Sequence, residues 1–190
     1  MSADLNLSLR LATAADIPAL CQLIETSVRV LQRNDYTPEQ IEGALGTVLG
    51  LDTQLVTDGT YFIAEAQAAC ARLLAGCGGW SKRRTLFGSD HAQVREPEFL
   101  DPAVDAARIR AFFIHPDFAR RGIGSRILEA CGTAARSAGF SRFEMGATLT
   151  GVPLYLARGY RILDRIEVPL RNGHTLEVVR MSKSDARKFA

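Results

Sequence analysis

The feature that most constrains the fold is a glycine-containing loop between a predicted strand and a predicted helix. The apolar run Ile109–His115 is typical of a strand, which Pro116 ends. Gly122 and Gly124, separated by one residue, then precede an amphipathic pattern that Gly139 terminates. Such a loop lets backbone N–H groups approach a ligand closely, and the positive end of the following helix favours an anion. The segment therefore predicts a phosphate or pyrophosphate site in an α/β fold.

The spacing of this loop differs from that of two common phosphate-binding motifs. Ile127 stands where the dinucleotide-binding fingerprint has its third glycine. No Gly-Lys-Ser/Thr sequence follows, so the segment is not a P-loop. On spacing alone, an ordinary helix start beside exposed arginines is an equal alternative to phosphate binding.

The composition is that of an ordinary globular domain. The chain has 190 residues, 47% hydrophobic and 23% charged, so it can bury a sufficient core without a disulfide or a metal. No apolar run approaches the ~18 residues of a membrane span, and the start lacks a signal-peptide pattern. The four cysteines are scattered, and no histidine stands at metal-ligand spacing. We therefore expect one cytoplasmic domain over residues 1–190, with no metal site and no membrane association.

Arginine is concentrated in one part of a nearly neutral chain. The formal net charge is only +2, whereas residues 118–165 contain eight arginines and three acidic residues. Local positive charge on a near-neutral protein favours an anionic small molecule as ligand. Nucleic-acid binding is a weaker alternative, because no recognition helix or aromatic stacking platform accompanies the charge.

Hydrophobic periodicity along the rest of the chain predicts a mixed α/β domain without internal repeats. Capping boxes mark the first two helices at Thr13 and Thr37, and Asn172-Gly173 predicts the turn of a final hairpin. The predicted strands are residues 5–12, 61–66, 73–80, 109–115, 140–147, 162–170 and 176–181. The predicted helices are 14–31, 37 to about 49–50, the segment that follows the glycine loop, and 151–158; a long polar loop covers 81–105 and a basic tail covers 182–190.

Two segments resemble the motifs of one enzyme family. Residues about 107–138, with Ile-His-Pro-Asp followed by Arg-Arg-Gly-Ile-Gly-Ser, resemble motif A of the GNAT-superfamily N-acetyltransferases. Residues about 140–160, with Ala147-Thr-Leu-Thr-Gly-Val-Pro-Leu-Tyr155 and Gly-Tyr160, resemble motif B. The start, from Leu9 to Leu20, resembles the family's first strand and helix. The resemblance covers nearly the whole chain and implies an α/β fold with a single mixed, mostly antiparallel sheet flanked by helices.

The resemblance also implies acetyl-CoA as cosubstrate and assigns residues to it. In this family the glycine-loop amides hold the pyrophosphate, and the strand before the loop binds the pantetheine arm through its backbone. Carried over to this chain, the cofactor-binding residues are Phe113, Ile114, Arg120, Arg121, Gly122, Ile123, Gly124, Ser125 and Thr148. Two positions differ from the family pattern. Ala119 stands where Gln or Arg is usual, and Thr148 replaces an Asn that is often present.

Tyr155 is the predicted general acid, because the motif B tyrosine of the family often protonates the departing thiolate. A phenol has a pKa near 10 and a free thiol one near 8.5, so the transfer is uphill by about 2 kcal/mol. A core tyrosine on an apolar helix face is the structural alternative. The oxyanion donor is expected to be a backbone N–H of the Phe113–Ile114 strand.

The reaction also requires the acceptor amine to lose a proton, and the sequence offers one candidate for the general base. An alkyl amine with a pKa near 10.4 is only about 0.04% neutral at pH 7, so the site must remove a proton or lower that pKa. Family members often place a Glu on the strand before the glycine loop, where this chain has Arg108 and Arg110. Glu144, on the strand after the long helix, is the carboxylate nearest the motifs, with a solvent-facing strand charge as the alternative.

These observations predict an acetyl-CoA-dependent N-acetyltransferase that acts on a primary amine of a small molecule or peptide. The alternative is a catalytically silent acyl-CoA-binding sensor or partner module, which the missing carboxylate favours. The fold does not identify the acceptor, and a homodimer is left open.

Overall fold

Seven strands form one sheet at the centre of the computed structural model, which describes residues 7–68, 71–92 and 95–185. The strands are β1 (Leu7–Leu11), β2 (Tyr61–Ala68), β3 (Ala71–Ser81), β4 (Ala107–Ile114), β5 (Arg142–Thr148), β6 (Arg161–Pro169) and β7 (Thr175–Ser184). Their order is β1-β2-β3-β4-β5-β7-β6, and every neighbouring pair is antiparallel except β4 and β5. The predicted mixed, mostly antiparallel sheet is therefore confirmed. Predictions for residues 5–6, Cys70 and residues 186–190 lie outside the described residues.

Helices cover both faces of the sheet. They are α1 (Ile17–Leu31), α2 (Pro38–Ala44), α3 (Thr53–Thr57), α4 (Ile123–Ser137) and α5 (Val152–Ala157). Side chains of β7 alternate between two apolar clusters: Val178 packs with α1 and α2, whereas Val179 packs with α4 and α5. The sheet therefore separates two cores. None of the helices in the described ranges is both long and apolar enough to cross a membrane.

The second helix ends earlier than predicted. Its start is confirmed, since the Thr37 side chain accepts a hydrogen bond from the Gln40 N–H. The predicted extension to residues 49–50 is wrong: Leu45 adopts an extended ψ of 135°, and Gly46 has a φ of +74° that favours glycine. A turn then leads to α3, a helix that is absent from the sequence prediction. The Asp52 carboxylate caps this helix by accepting a hydrogen bond from the Gln54 N–H.

Strands β4 and β5 pair over only a short distance. Their register contains two pairs, Ala107 with Phe143 and Arg108 with Glu144, although both strands continue beyond them. Further along β4, Ala111 has a left-handed φ of +54°, and the ladder to β3 shifts register in the same region. Where this irregularity lies, a gap opens between the two parallel strands, and the candidate site is located at this gap.

Candidate functional site

A long groove and a small inner cavity meet at the gap between β4 and β5. The groove has a volume of about 810 Å³ and runs along the C-terminal end of α1, the glycine loop and α5. The inner cavity, of about 60 Å³, lies between β4 and β5 and is also bordered by residues 48–50 and 86–88. Phe112, Thr148 and Tyr155 line both spaces. The groove and the inner cavity therefore adjoin each other at these three residues.

The glycine loop presents unpaired backbone N–H groups to the groove. Gly122 is the N-cap of α4 with a φ of +79°, and the first hydrogen bond of that helix runs from the Arg126 N–H to the Gly122 carbonyl. The N–H groups of Ile123, Gly124 and Ser125 thus have no helical acceptor. These N–H groups and the positive end of the helix dipole lie together at one end of the groove, an arrangement that favours an anion.

The arginines of this loop point in different directions. Arg120 lines the groove and holds a left-handed φ of +63°. Arg121 is not among the groove-lining residues; its guanidinium lies 5.8 Å from the Phe118 ring centroid. Arg126 donates to the Leu7 carbonyl of β1 at 3.1 Å. Within the described loop, Arg120 is therefore the arginine best placed to meet an anion in the groove.

The strand before the loop offers less free backbone than expected. Phe113 lies opposite Cys77 in β3, and the Ile114 N–H donates to the Ser27 hydroxyl at 3.2 Å. Phe112 has no register partner in either neighbouring strand among the described residues. Phe112 is a site residue that the sequence pattern does not indicate, because nothing in the pattern shows which strand residues border the gap.

Tyr155 lies where the two spaces meet. It is 6% exposed, and its ring makes edge contacts with Phe112 and Tyr160 at centroid distances of 6.2 and 5.9 Å. Its hydroxyl has no hydrogen-bond partner among the described residues. Burial, with a smaller contribution from Tyr160, raises the pKa of Tyr155 well above the ordinary value near 10. The side chain is therefore a neutral phenol at physiological pH and can act as a donor.

Glu144 lies outside both spaces. Its carboxylate pairs with the Arg108 guanidinium and approaches Arg180 at 3.6 Å, and it is absent from the lining of the groove and of the inner cavity. The carboxylate of Glu144, the candidate base, therefore lies between two guanidinium groups. Its catalytic role stays a prediction.

A buried ion pair that the sequence analysis missed borders the inner cavity. Arg110, 5% exposed, lines the cavity and places Nη1 2.6 Å from Oδ2 of the fully buried Asp52. Its Nη2 donates to the Gly88 carbonyl at 2.6 Å, and Arg95 donates to the other oxygen of Asp52 at 2.8 Å. Burial lowers the pKa of Arg110, and the charge of Asp52 opposes that effect. No sequence spacing connects these positions, so only the fold reveals the pair.

No group of three or more potential metal ligands lies in the described part of the chain. The polar groups that border the groove and the inner cavity include backbone N–H groups, the phenol of Tyr155 and the buried guanidinium of Arg110.

Comparison with known proteins identifies a family and a fold. A family model described as an acetyltransferase (GNAT) domain matches residues 57–162, a range that contains the glycine loop, the gap and Tyr155. A comparison with curated protein sequences found no significant match.

Several solved structures share the architecture at low sequence identity. A GCN5-related N-acetyltransferase from Rhodopseudomonas palustris is 18% identical with a TM-score of 0.67, covering 97% of this chain and 99% of its own. The PaiA N-acetyltransferase of Thermoplasma acidophilum, in complex with coenzyme A, is 12% identical with a TM-score of 0.60, covering 94% and 99%. The protein yncA of Salmonella typhimurium, solved with its cofactor acetyl-CoA, is 16% identical with a TM-score of 0.61, covering 97% of both chains. At these identities the likeness establishes the fold.

Removing the negative charge of the buried pair should destabilise the protein. In Asp52→Asn, Arg110 and Arg95 lose their shared buried counter-ion, so the free energy of unfolding should fall by about 3–5 kcal/mol. Urea denaturation measures the change. Asp164→Asn is the matched control, since Asp164 pairs with Arg180 at an exposed site and should lose no more than about 1 kcal/mol. Equal losses in the two variants would show that the buried pair has no special structural role.

Proposed function

The chain belongs to the GNAT acetyltransferase family, whose model matches more than half of its length, and we propose that it transfers the acetyl group of acetyl-CoA to a primary amine of a small molecule or peptide. One observation carries this proposal: the groove extends from a helix start with free N–H groups at one end to a gap between two parallel strands at the other. An elongated ligand with a pyrophosphate near one end and a reactive group at the other matches that arrangement.

The cofactor is proposed to bind in the groove. Its pyrophosphate would accept hydrogen bonds from the N–H groups of Ile123, Gly124 and Ser125, with Arg120 supplying a full charge. The pantetheine arm would follow β4 towards the gap, where Thr148 borders both spaces. The Ser27 hydroxyl already accepts from the Ile114 N–H, so the arm would have to find other backbone partners or displace Ser27.

The acetyl transfer is proposed to occur where Phe112 and Tyr155 meet the inner cavity. The amine nitrogen attacks the thioester carbonyl carbon, a C–N bond forms, and the C–S bond then breaks. The Phe112 N–H, outside the ladder registers of β4, is the proposed donor to the transient oxyanion. The products are the amide and the free thiol, so one proton passes from nitrogen to sulfur.

The burial of Tyr155 determines how that proton can pass from the nitrogen to the sulfur. Because burial raises the pKa of the phenol, forming a phenolate is more unfavourable than the 2 kcal/mol expected from ordinary values. We therefore assign Tyr155 a relay: its hydroxyl gives a proton to the sulfur as it accepts one that originates on the attacking nitrogen. The tyrosine is then neutral before and after each turnover.

We also propose that the chain forms one acetyltransferase domain and that it is located in the cytoplasm. The single sheet contains strands from Leu7 to Ser184, which supports one acetyltransferase domain over residues 1–190. Among the described residues, Cys21, Cys77 and Cys131 carry free thiols, which supports the cytoplasm as the proposed location.

A negative charge at the loop should weaken cofactor binding. In Gly124→Asp a carboxylate enters the proposed pyrophosphate site, so acetyl-CoA affinity measured by calorimetry should fall by at least about 2 kcal/mol. Gly124→Ala separates size from charge, because its Cβ would lie 3.0 Å from Leu154 Cδ2, the end of a flexible side chain. We expect the alanine variant to lose much less affinity. If both variants bind like the parent, the phosphate site lies elsewhere.

Removing the phenol should slow turnover without weakening cofactor binding. Tyr155→Phe keeps the ring contacts and loses only the hydroxyl, so kcat for thiol release should fall by roughly 10²–10⁴-fold, while acetyl-CoA affinity should barely change. Tyr160→Phe is the control, since that ring packs against Tyr155 but does not line the groove or the inner cavity. A full-rate Tyr155→Phe enzyme would contradict the relay, and a parent protein that binds acetyl-CoA but acetylates no amine would favour the sensor.

A further inference from the structure

A third space adjoins the inner cavity and has a different character. This outer pocket has a volume of about 230 Å³ and shares Val48, Phe87 and Gly88 with the inner cavity. Four of its remaining lining residues are apolar, namely Ala92, Ile166, Val168 and Pro169, and three are polar, namely Thr47, Glu167 and Arg171. The groove, the inner cavity and the outer pocket therefore lie side by side, each sharing wall residues with the next.

Phe87 separates the inner cavity from the outer pocket, and the loop that carries it is well anchored. The ring lies so close to β5 that a Cβ at Gly146 would be 2.7 Å from its Cδ1. Arg110 holds the next carbonyl, that of Gly88. The Ser89 N–H and hydroxyl donate to the carbonyls of Thr47 and Gly46, both at 2.7 Å. A molecule that bridges the two spaces must therefore pass beside a positioned aromatic ring.

The charges around the inner cavity disfavour a protonated amine. Arg110 and Tyr155 are the ionisable residues among its described lining, and no carboxylate is present there. Of the carboxylates on adjoining elements, Asp52 and Glu144 are paired with arginines. Asp35 lines the groove and accepts from the Thr150 hydroxyl, and Glu167 lies in the wall of the outer pocket, outside the inner cavity. An ammonium ion buried without a counter-ion is strongly disfavoured, so the acceptor should enter as the neutral amine.

This condition favours amines of low pKa. An α-amino group, with a pKa near 8, is neutral at pH 7 roughly 250 times more often than a lysine side chain with a pKa near 10.4. The apolar outer pocket next to Phe87 supplies room for a hydrophobic substituent on the adjacent carbon.

We propose that the acceptor is an α-amino group beside an apolar side chain, with the amine in the inner cavity and the side chain in the outer pocket past Phe87. This inference rests on the proposed acetyltransferase function and deepens it. An α-amino group beside an apolar side chain occurs both at the N-terminus of a peptide and in a free amino-acid amide.

Acceptor competition tests the proposal on the intact protein, with thiol release from acetyl-CoA as the readout. Leucinamide should have a kcat/KM at least about tenfold above those of glycinamide, which lacks the side chain, and Nα-acetyl-lysinamide, which offers only an ε-amine. The peptide Leu-Ala-Ala amide distinguishes the two sources: faster turnover than leucinamide assigns a peptide N-terminus, and slower turnover assigns the small amide. Preference for Nα-acetyl-lysinamide or for glycinamide would overturn the proposal.

The pH profile supplies a second, independent readout. Because the enzyme accepts a neutral amine without a titrating base, the inflection in kcat/KM should follow the acceptor. It should lie near pH 8 for leucinamide and well above it for 3-methylbutylamine, which has the same side chain but a more basic amine. A common inflection for both acceptors would reveal a base on the enzyme and contradict the inference.

A matched pair of variants tests the outer pocket. Ile166→Ser places a hydroxyl in the pocket wall and should reduce the preference for leucinamide over glycinamide at least about fivefold. Ile162→Ser makes the same change on β6 at an exposed residue outside the pocket and should leave the preference unchanged. An unaltered preference in Ile166→Ser would overturn the assignment of this pocket. No thiol release with any acceptor at any pH would instead refute the proposed function, and the inference with it.

Discussion

The short pairing between β4 and β5 is the constraint on which the rest of the site depends. Parallel strands normally share a continuous ladder, but these two share register at only two positions before they separate. The left-handed backbone at Ala111 and the register shift against β3 lie where the strands diverge. That separation leaves the space in which the groove and the inner cavity share Phe112, Thr148 and Tyr155 as wall residues.

The opposite side of the gap is held by a buried ionic network. Asp52 caps α3, pairs with Arg110 of β4 and accepts a hydrogen bond from Arg95 of the long loop. Arg110 in turn fixes the Gly88 carbonyl beside Phe87. One carboxylate thus connects a helix, a strand and a loop, and its burial makes each of these contacts costly to break. The hydrogen bond from Arg110 to the Gly88 carbonyl therefore both stabilises the loop and positions residues 86–88 in the wall of the inner cavity.

Local features of the site could be predicted from the sequence, whereas long-range ones could not. The capping residue Thr37 and the glycine loop act over a few neighbouring residues, so their patterns identify them directly. The end of α2 was missed because the helical pattern continues past Gly46, where the backbone already turns. The pairing of Asp52 with Arg110 depends on which strand lies beside α3, information that no local spacing contains.

The same distinction applies to the candidate catalytic residues. Tyr155 is a candidate because it stands at the position of the motif B tyrosine, and in the structure it lies where the groove adjoins the inner cavity. Glu144 was chosen by its distance along the chain, but its side chain faces Arg108 and Arg180. Phe112 was missed because the gap between strands, not the sequence, singles out its backbone.

A crystal structure of the protein with bound acetyl-CoA tests the central claim most directly. We expect the pyrophosphate on the N–H groups of Ile123, Gly124 and Ser125, the thioester in the gap beside Phe112, and the sulfur within hydrogen-bonding reach of the Tyr155 hydroxyl. A pyrophosphate bound away from the glycine loop, or a thioester that stays outside the gap between β4 and β5, would contradict it.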